Sequence, residues 1–182
     1  MEKSKKNVIK RILIFGVMFL LAGGIALAGS YMYQPGTDML IRNTVMALAG
    51  TGIVIYAYLL SEVLGLFLYR NEGKYGQFAV VYLGSLLAAV FFPCLPVTGW
   101  PFLVLFVLLG VFSNCITGMA AGSVCLLLAV NFTGGDVAVF WLYFISGLAG
   151  ILMFSNLNDD FLVGMPVIVS LLVLVLCLTA NV

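Results

Sequence analysis

The run Ile12–Tyr33 reads ILIFGVMFLLAGGIALAGSYMY, 22 residues without a charge, and it follows directly on Lys3, Lys5, Lys6, Lys10 and Arg11. A bilayer core of about 30 Å is crossed by roughly 20 apolar helical residues, so this stretch alone predicts a membrane helix. Five of the chain's eight basic residues stand before it, and basic residues collect on the cytoplasmic side of a first span. The N-terminus is therefore expected in the cytoplasm. A Lys-rich start, an apolar run and Ala26-Leu27-Ala28 also match a secretory signal peptide with its cleavage site. The length of the run and the spans that follow favour a retained first helix.

Working outward, the pattern repeats. Gln34-Pro35-Gly36-Thr37-Asp38 breaks the chain with a Pro-Gly turn. A second apolar segment is expected from Thr44 to Tyr69, interrupted by Ser61-Glu62, before the charged loop Arg70–Lys74. A third runs from Phe78 to Phe92 and stops at Pro93–Pro101, where three prolines in nine residues forbid a continuous helix. The stretch from Pro101 to Val130 reads either as one strongly tilted helix or as two short ones broken at Ser113–Gly118; thirty helical residues would span about 45 Å. The tilted helix is the favoured reading. Asn131–Asp136 is a loop with Asp136 as N-cap of the next helix. Further segments are expected over Val137–Phe154 and Phe161–Leu178, with Ser155–Asp160 between them.

The fold class is thus an all-α polytopic transmembrane bundle of six spans, seven being the alternative, in one integral membrane domain over 1–182 with a basic cytoplasmic segment over 1–11. Arg70 and Lys74 fall inside after two crossings, and the loop of Asp38 and Arg42 falls outside. Composition agrees: of 182 residues, 64% are hydrophobic and only 8% charged, with a net charge of +1 and a mean hydropathy of +1.22. A soluble globule could not hide that much apolar surface. The near-zero net charge and lack of a basic face beyond the N-terminus exclude a nucleic-acid binder. There is no histidine, which removes His general bases, His-metal sites and Ser-His triads together. Cys94, Cys115, Cys125 and Cys177 have no metal or redox spacing. No cofactor, metal or catalytic residue is expected, and the chain does not read as an enzyme.

The candidate ligand-binding residues are Glu62, Asn114, Thr117 and Asn131. Glu62 is the one acidic residue within an apolar segment, eight positions before Arg70, about 12 Å up a continuous helix. An ionisable group at such depth points to a relay, substrate contact or gate; the alternative is a carboxylate that merely holds helices together. Asn114, Thr117 and Asn131 would line a polar cavity or, as the better reading, satisfy backbone freed by a helix break. Ala22 and Ala26, and Gly118 and Gly122, are small-residue pairs at helix-packing spacing, more simply intramolecular than between subunits. Trp100, Trp141 and Tyr143 read as interface-belt aromatics.

The Pro-opened helix at Pro101, the turn Ser113-Asn114-Cys115 and the run Tyr143–Leu152 resemble the membrane region of bacterial seven-transmembrane HD phosphohydrolases, enzymes of cyclic-di-AMP breakdown. That family's catalytic domain needs histidines, and this sequence has none, so the resemblance implies a membrane module without its hydrolase. The size, six spans, basic N-terminus and Ala22/Ala26 spacing are similar to substrate-binding components of energy-coupling-factor vitamin transporters. There, the alanine stripe on the first helix meets the coupling subunit. Small scaffolds of cell-wall synthesis are a third look-alike. The expectation is a multi-pass protein of a bacterial cell membrane that binds or regulates together with a membrane or cytoplasmic protein partner. It would be a solute-binding transporter component or a detached sensor domain or scaffold, with an unidentified small molecule and the lipid bilayer as its other partners.

Overall fold

A computed structural model describes residues 2–67, 74–155, 171–173, 175 and 179. Six α-helices have described bounds: α1 (Glu2–Tyr33), α2 (Thr37–Val63), α3 (Tyr75–Phe91), α4 (Phe102–Val111), α5 (Cys115–Phe132) and α6 (Val137–Ser155); residues 171–173, 175 and 179 are also helical. No strand occurs among the described residues. The expected segment over Phe161–Leu178 and the loop before it lie mostly outside them. Among the described residues four helices are long and apolar enough to cross a membrane, over Val8–Tyr33, Thr37–Val63, Tyr75–Cys94 and Cys115–Phe132.

Glycines record where the helices meet. A methyl on Gly23 would lie 2.9 Å from Leu48, one on Gly50 would lie 2.6 Å from Val124, and one on Gly29 would meet both Phe132 and Val90. Together with the Ser61–Thr117 hydrogen bond and the Phe15–Tyr75 ring contact, these pairs fix directions. Helix α1 is antiparallel to α2 and parallel to α3, and α2 is antiparallel to α5. Arg11, Glu62 and Tyr75 therefore share one end of the bundle, the basic end, while Gln34 and Asn131 meet at the other.

Several expected boundaries move: α2 starts seven residues early, at Thr37, α3 starts three early, at Tyr75, and Asn131, expected in a loop, lies inside α5. The second segment ends six residues early, at Val63. Gly65 sits at φ +64, a left-handed position that glycine enters at little cost. Its N–H bonds to Glu62 O at 3.3 Å and that of Leu66 to Ser61 O at 3.0 Å, the paired bonds of a Schellman stop. Glu62 consequently lies in the last turn of α2, not deep in a longer helix.

The favoured single tilted helix over Pro101–Val130 is also not found. The chain breaks at Phe112–Asn114. Asn114 is extended, and its Oδ1 accepts from Thr117 N–H at 2.8 Å as the N-cap of α5. Ser113 Oγ donates to Leu109 O at 2.6 Å and so covers a carbonyl left open where α4 ends. A methyl on Gly118 would stand 2.6 Å from Gly110 Cα, and one on Gly122 would stand 2.6 Å from the Phe106 ring. The Gly118/Gly122 pair thus packs α5 antiparallel onto α4 within the chain. Asp136 caps α6 as expected, its Oδ1 accepting from Ala138 N–H at 2.9 Å.

Between α3 and α4 the proline-rich stretch forms two 3-10 turns, Phe92–Cys94 and Val97–Gly99. Tyr143 ties this loop to the bundle, although Cys94 to Gly99 are exposed. Its hydroxyl donates to Val97 O and accepts from Trp100 N–H at 3.2 Å. Trp100 is 3% exposed and Tyr143 2%, and their rings stack at 5.8 Å. These two are core residues pinning a loop rather than lipid-facing belt aromatics. Trp141, by contrast, is 53% exposed.

Candidate functional site

At the basic end three helices converge on Glu62. Arg11 Nη2 from α1 lies 2.6 Å from Glu62 Oε2, and Tyr75 from the start of α3 donates its hydroxyl to Oε1. The Arg11 guanidinium also sits over the Tyr75 ring, 4.9 Å from its centre. Glu62 is thus a charged junction of α1, α2 and α3. An acidic side chain at a helix C-terminus faces the negative end of the macrodipole. The same negative end attracts Arg11, and the pair together carries no net charge.

An aromatic column leads from this junction into the bundle. Tyr58, one turn before Glu62, contacts Phe15 at 5.8 Å, Tyr75 at 5.9 Å and Phe78 at 4.6 Å. Phe78 stacks on Tyr82 at 6.2 Å, whose hydroxyl reaches Thr51 at 2.9 Å. Beside the junction, Ser61 Oγ meets Thr117 Oγ1 at 3.3 Å. Glu62, Thr117 and Asn114 therefore lie at one end of the bundle. The Asn114 amide nitrogen has no hydrogen-bond partner among the described residues.

Asn131 stands apart from them, 17 residues along α5 from Asn114, or about 25 Å. Its carbonyl accepts from Gln34 Nε2 at 2.7 Å, and its amide approaches Met46 Sδ at 3.3 Å. Also near this end, Ser30 Oγ, Gln34 Oε1, both amide atoms of Asn43 and Thr44 Oγ1 are buried without a hydrogen-bond partner among the described residues. The four candidate residues thus divide between two separate polar regions. Ala22 and Ala26 are fully buried within the bundle, so the stripe they form is covered by this chain.

Sequence reasoning did not pick out Arg11, Tyr58 or Tyr75. Arg11 served only as a topological charge, although it already lies within the helical register that buries Phe15, Met18 and Ala22. Among the described residues no cluster of metal-ligating side chains forms. Cys94 is exposed, Cys115 is half-buried and Cys125 is buried; Cys177 lies outside the described residues. Comparison with family models, curated proteins and solved structures gives no match.

Proposed function

We propose that the chain is a non-enzymatic, multi-pass protein of the bacterial cell membrane that acts as a binding or regulatory module with a partner protein, in the first place as the solute-binding component of a transporter. The Arg11–Glu62–Tyr75 junction carries this reading. The two charged side chains are 29% and 23% exposed, and ion pairs at such exposure contribute about 0–1 kcal/mol to stability. Both side chains stand at the cytoplasmic ends of their spans, where charged side chains reach the interface at little cost. The pair is a polar contact among three helices that adds little to stability and that a partner can make and break. Because Ala22 and Ala26 are covered, the partner contact falls instead to the basic end, which the charge pattern puts in the cytoplasm.

The test places a photo-crosslinking residue at Val63, 82% exposed beside the junction, in native membranes. A discrete protein adduct is expected, lost in Glu62→Gln while thermal stability is retained. Absence of an adduct, or one indifferent to Glu62→Gln, would contradict the proposal.

A further inference from the structure

Buried polar atoms without a hydrogen-bond partner among the described residues gather in the half of the bundle that the charge pattern puts outside. They are Ser30 Oγ on α1, both side-chain amide atoms of Asn43 and Thr44 Oγ1 on α2, Gln34 Oε1 just past α1, and Ser85 Oγ on α3. Ser30 and Asn43 are fully buried. The Gly23–Leu48 contact sets the antiparallel register of α1 on α2. Ser30 therefore stands level with Ile41, two residues or about 3 Å from Asn43. The Gln34 amide reaches the same place: it donates to Asn131 O, and the Asn131 amide meets Met46, three residues from Asn43. Deeper in, the hydrogen bond between Thr51 and Tyr82 closes the core, and Ser85 lies three residues of α3 outward from Tyr82.

In lipid a polar group finds no water through the helix flanks and has to be satisfied inside the protein. A few scattered orphans are ordinary, but a group of them on three helices presents hydrogen-bonding capacity to a common occupant. Its chemistry is definite. Hydroxyls and amides set donors and acceptors side by side, and the set carries no charge, since Asp38 and Arg42 in the adjoining turn and first turns of α2 are exposed. An ion held there would be buried without a counter-charge. We propose that Ser30, Asn43 and their neighbours bind a small uncharged solute with both donors and acceptors, of the size of a carboxamide or short polyol, entering from the outer side. This rests on the solute-binding reading above and gives that solute a place and a chemical class. Asn43 then costs stability until a solute bonds to it, an exchange of stability for function.

The experiment introduces Ser30→Cys, a near-isosteric change, into a variant otherwise free of cysteine, in native membranes. Val54→Cys, fully buried and on the cytoplasmic side of the Thr51–Tyr82 bond, is the control. Each is treated with a methanethiosulfonate carrying a neutral hydroxyethyl group and, separately, with one carrying a sulfonate. Ser30→Cys should be modified by the hydroxyethyl reagent and spared by the sulfonate, and Val54→Cys should be spared by both. Should Ser30→Cys fail to fold, Ser85→Cys takes its place with the same expectation. Protection from both reagents overturns the proposal. So does equal modification by both, which would mean an open, water-filled vestibule, and so does a Val54→Cys that reacts as readily. Modification as expected without a Val63 adduct would overturn only the partner-protein reading, and a Val63 adduct with the outer cysteine protected would overturn only the solute site.

Discussion

Glu62 shows how one residue's setting decides its chemistry. The sequence marks it as an acid among apolar residues, but its neutraliser is 51 positions away, on a helix whose basic residues look like topological markers. Removing the carboxylate leaves Arg11 with only the Tyr75 ring. Glu62→Leu should therefore cost about 1–2 kcal/mol of thermal stability, the scale of a polar contact between membrane helices. The double variant Arg11→Leu/Glu62→Leu should recover most of that loss, because no unpaired charge remains. Additive losses in that cycle would mean the two residues are not coupled. At the other end, Asn43 has both amide atoms buried without partners among the described residues, a condition costing about 1–3 kcal/mol. Asn43→Leu is expected to raise the midpoint of thermal unfolding, and a lower midpoint would show that the amide is satisfied.

At the scale of elements, stops and joints were less legible than the helices. Ile12–Tyr33 announces itself by length and apolarity, and Asp136 by its place before an apolar run. Gly65, however, is one of 20 glycines and is followed by Leu66 and Phe67, so the helix stop there carries no signal beyond the glycine itself. The break at Asn114 was visible as a polar patch, but tilting could equally absorb the extra length. What decides the matter is contact between Gly110 and Gly118, and no composition reveals it. Gly118→Ala must push two backbones apart and should destabilise by about 2 kcal/mol or more. Gly24→Ala, with open space around it, should be neutral or slightly stabilising. Similar effects at both sites would contradict the close packing. Trp100 and Tyr143 misled because belt residues and loop anchors share the same aromatic types. Tyr143→Phe keeps the ring and drops the hydroxyl that holds Val97 and Trp100. Faster amide exchange in the loop over 93–101, with the rest of the bundle unchanged, is the expected result. Unchanged exchange there would mean the hydroxyl does not hold the loop.

For the whole molecule, the loop pinned by Tyr143 resolves the length problem of the central stretch. Tyr143 lies six residues along α6 from Val137, about 9 Å, so the proline-rich segment has already descended alongside the bundle before α4 begins. Ten residues of α4 add about 15 Å, and α5 then returns to the Gln34 end, where Asn131 meets Gln34. The apolar bundle was legible because solvent preference is written in composition. The direction of its middle third was not, because no Lys or Arg follows Lys74. The candidate site was legible only in its acid, since its other members are joined to Glu62 by folding alone. The most direct test labels Thr133→Cys, an exposed position, in a variant otherwise free of cysteine, with a membrane-impermeant thiol reagent on intact cells. The architecture predicts that it labels from outside, on the same side as a cysteine at Asp38 and opposite to one at Lys74. Labelling of Thr133→Cys only from the cytoplasmic side would restore the single tilted helix and contradict the fold described here.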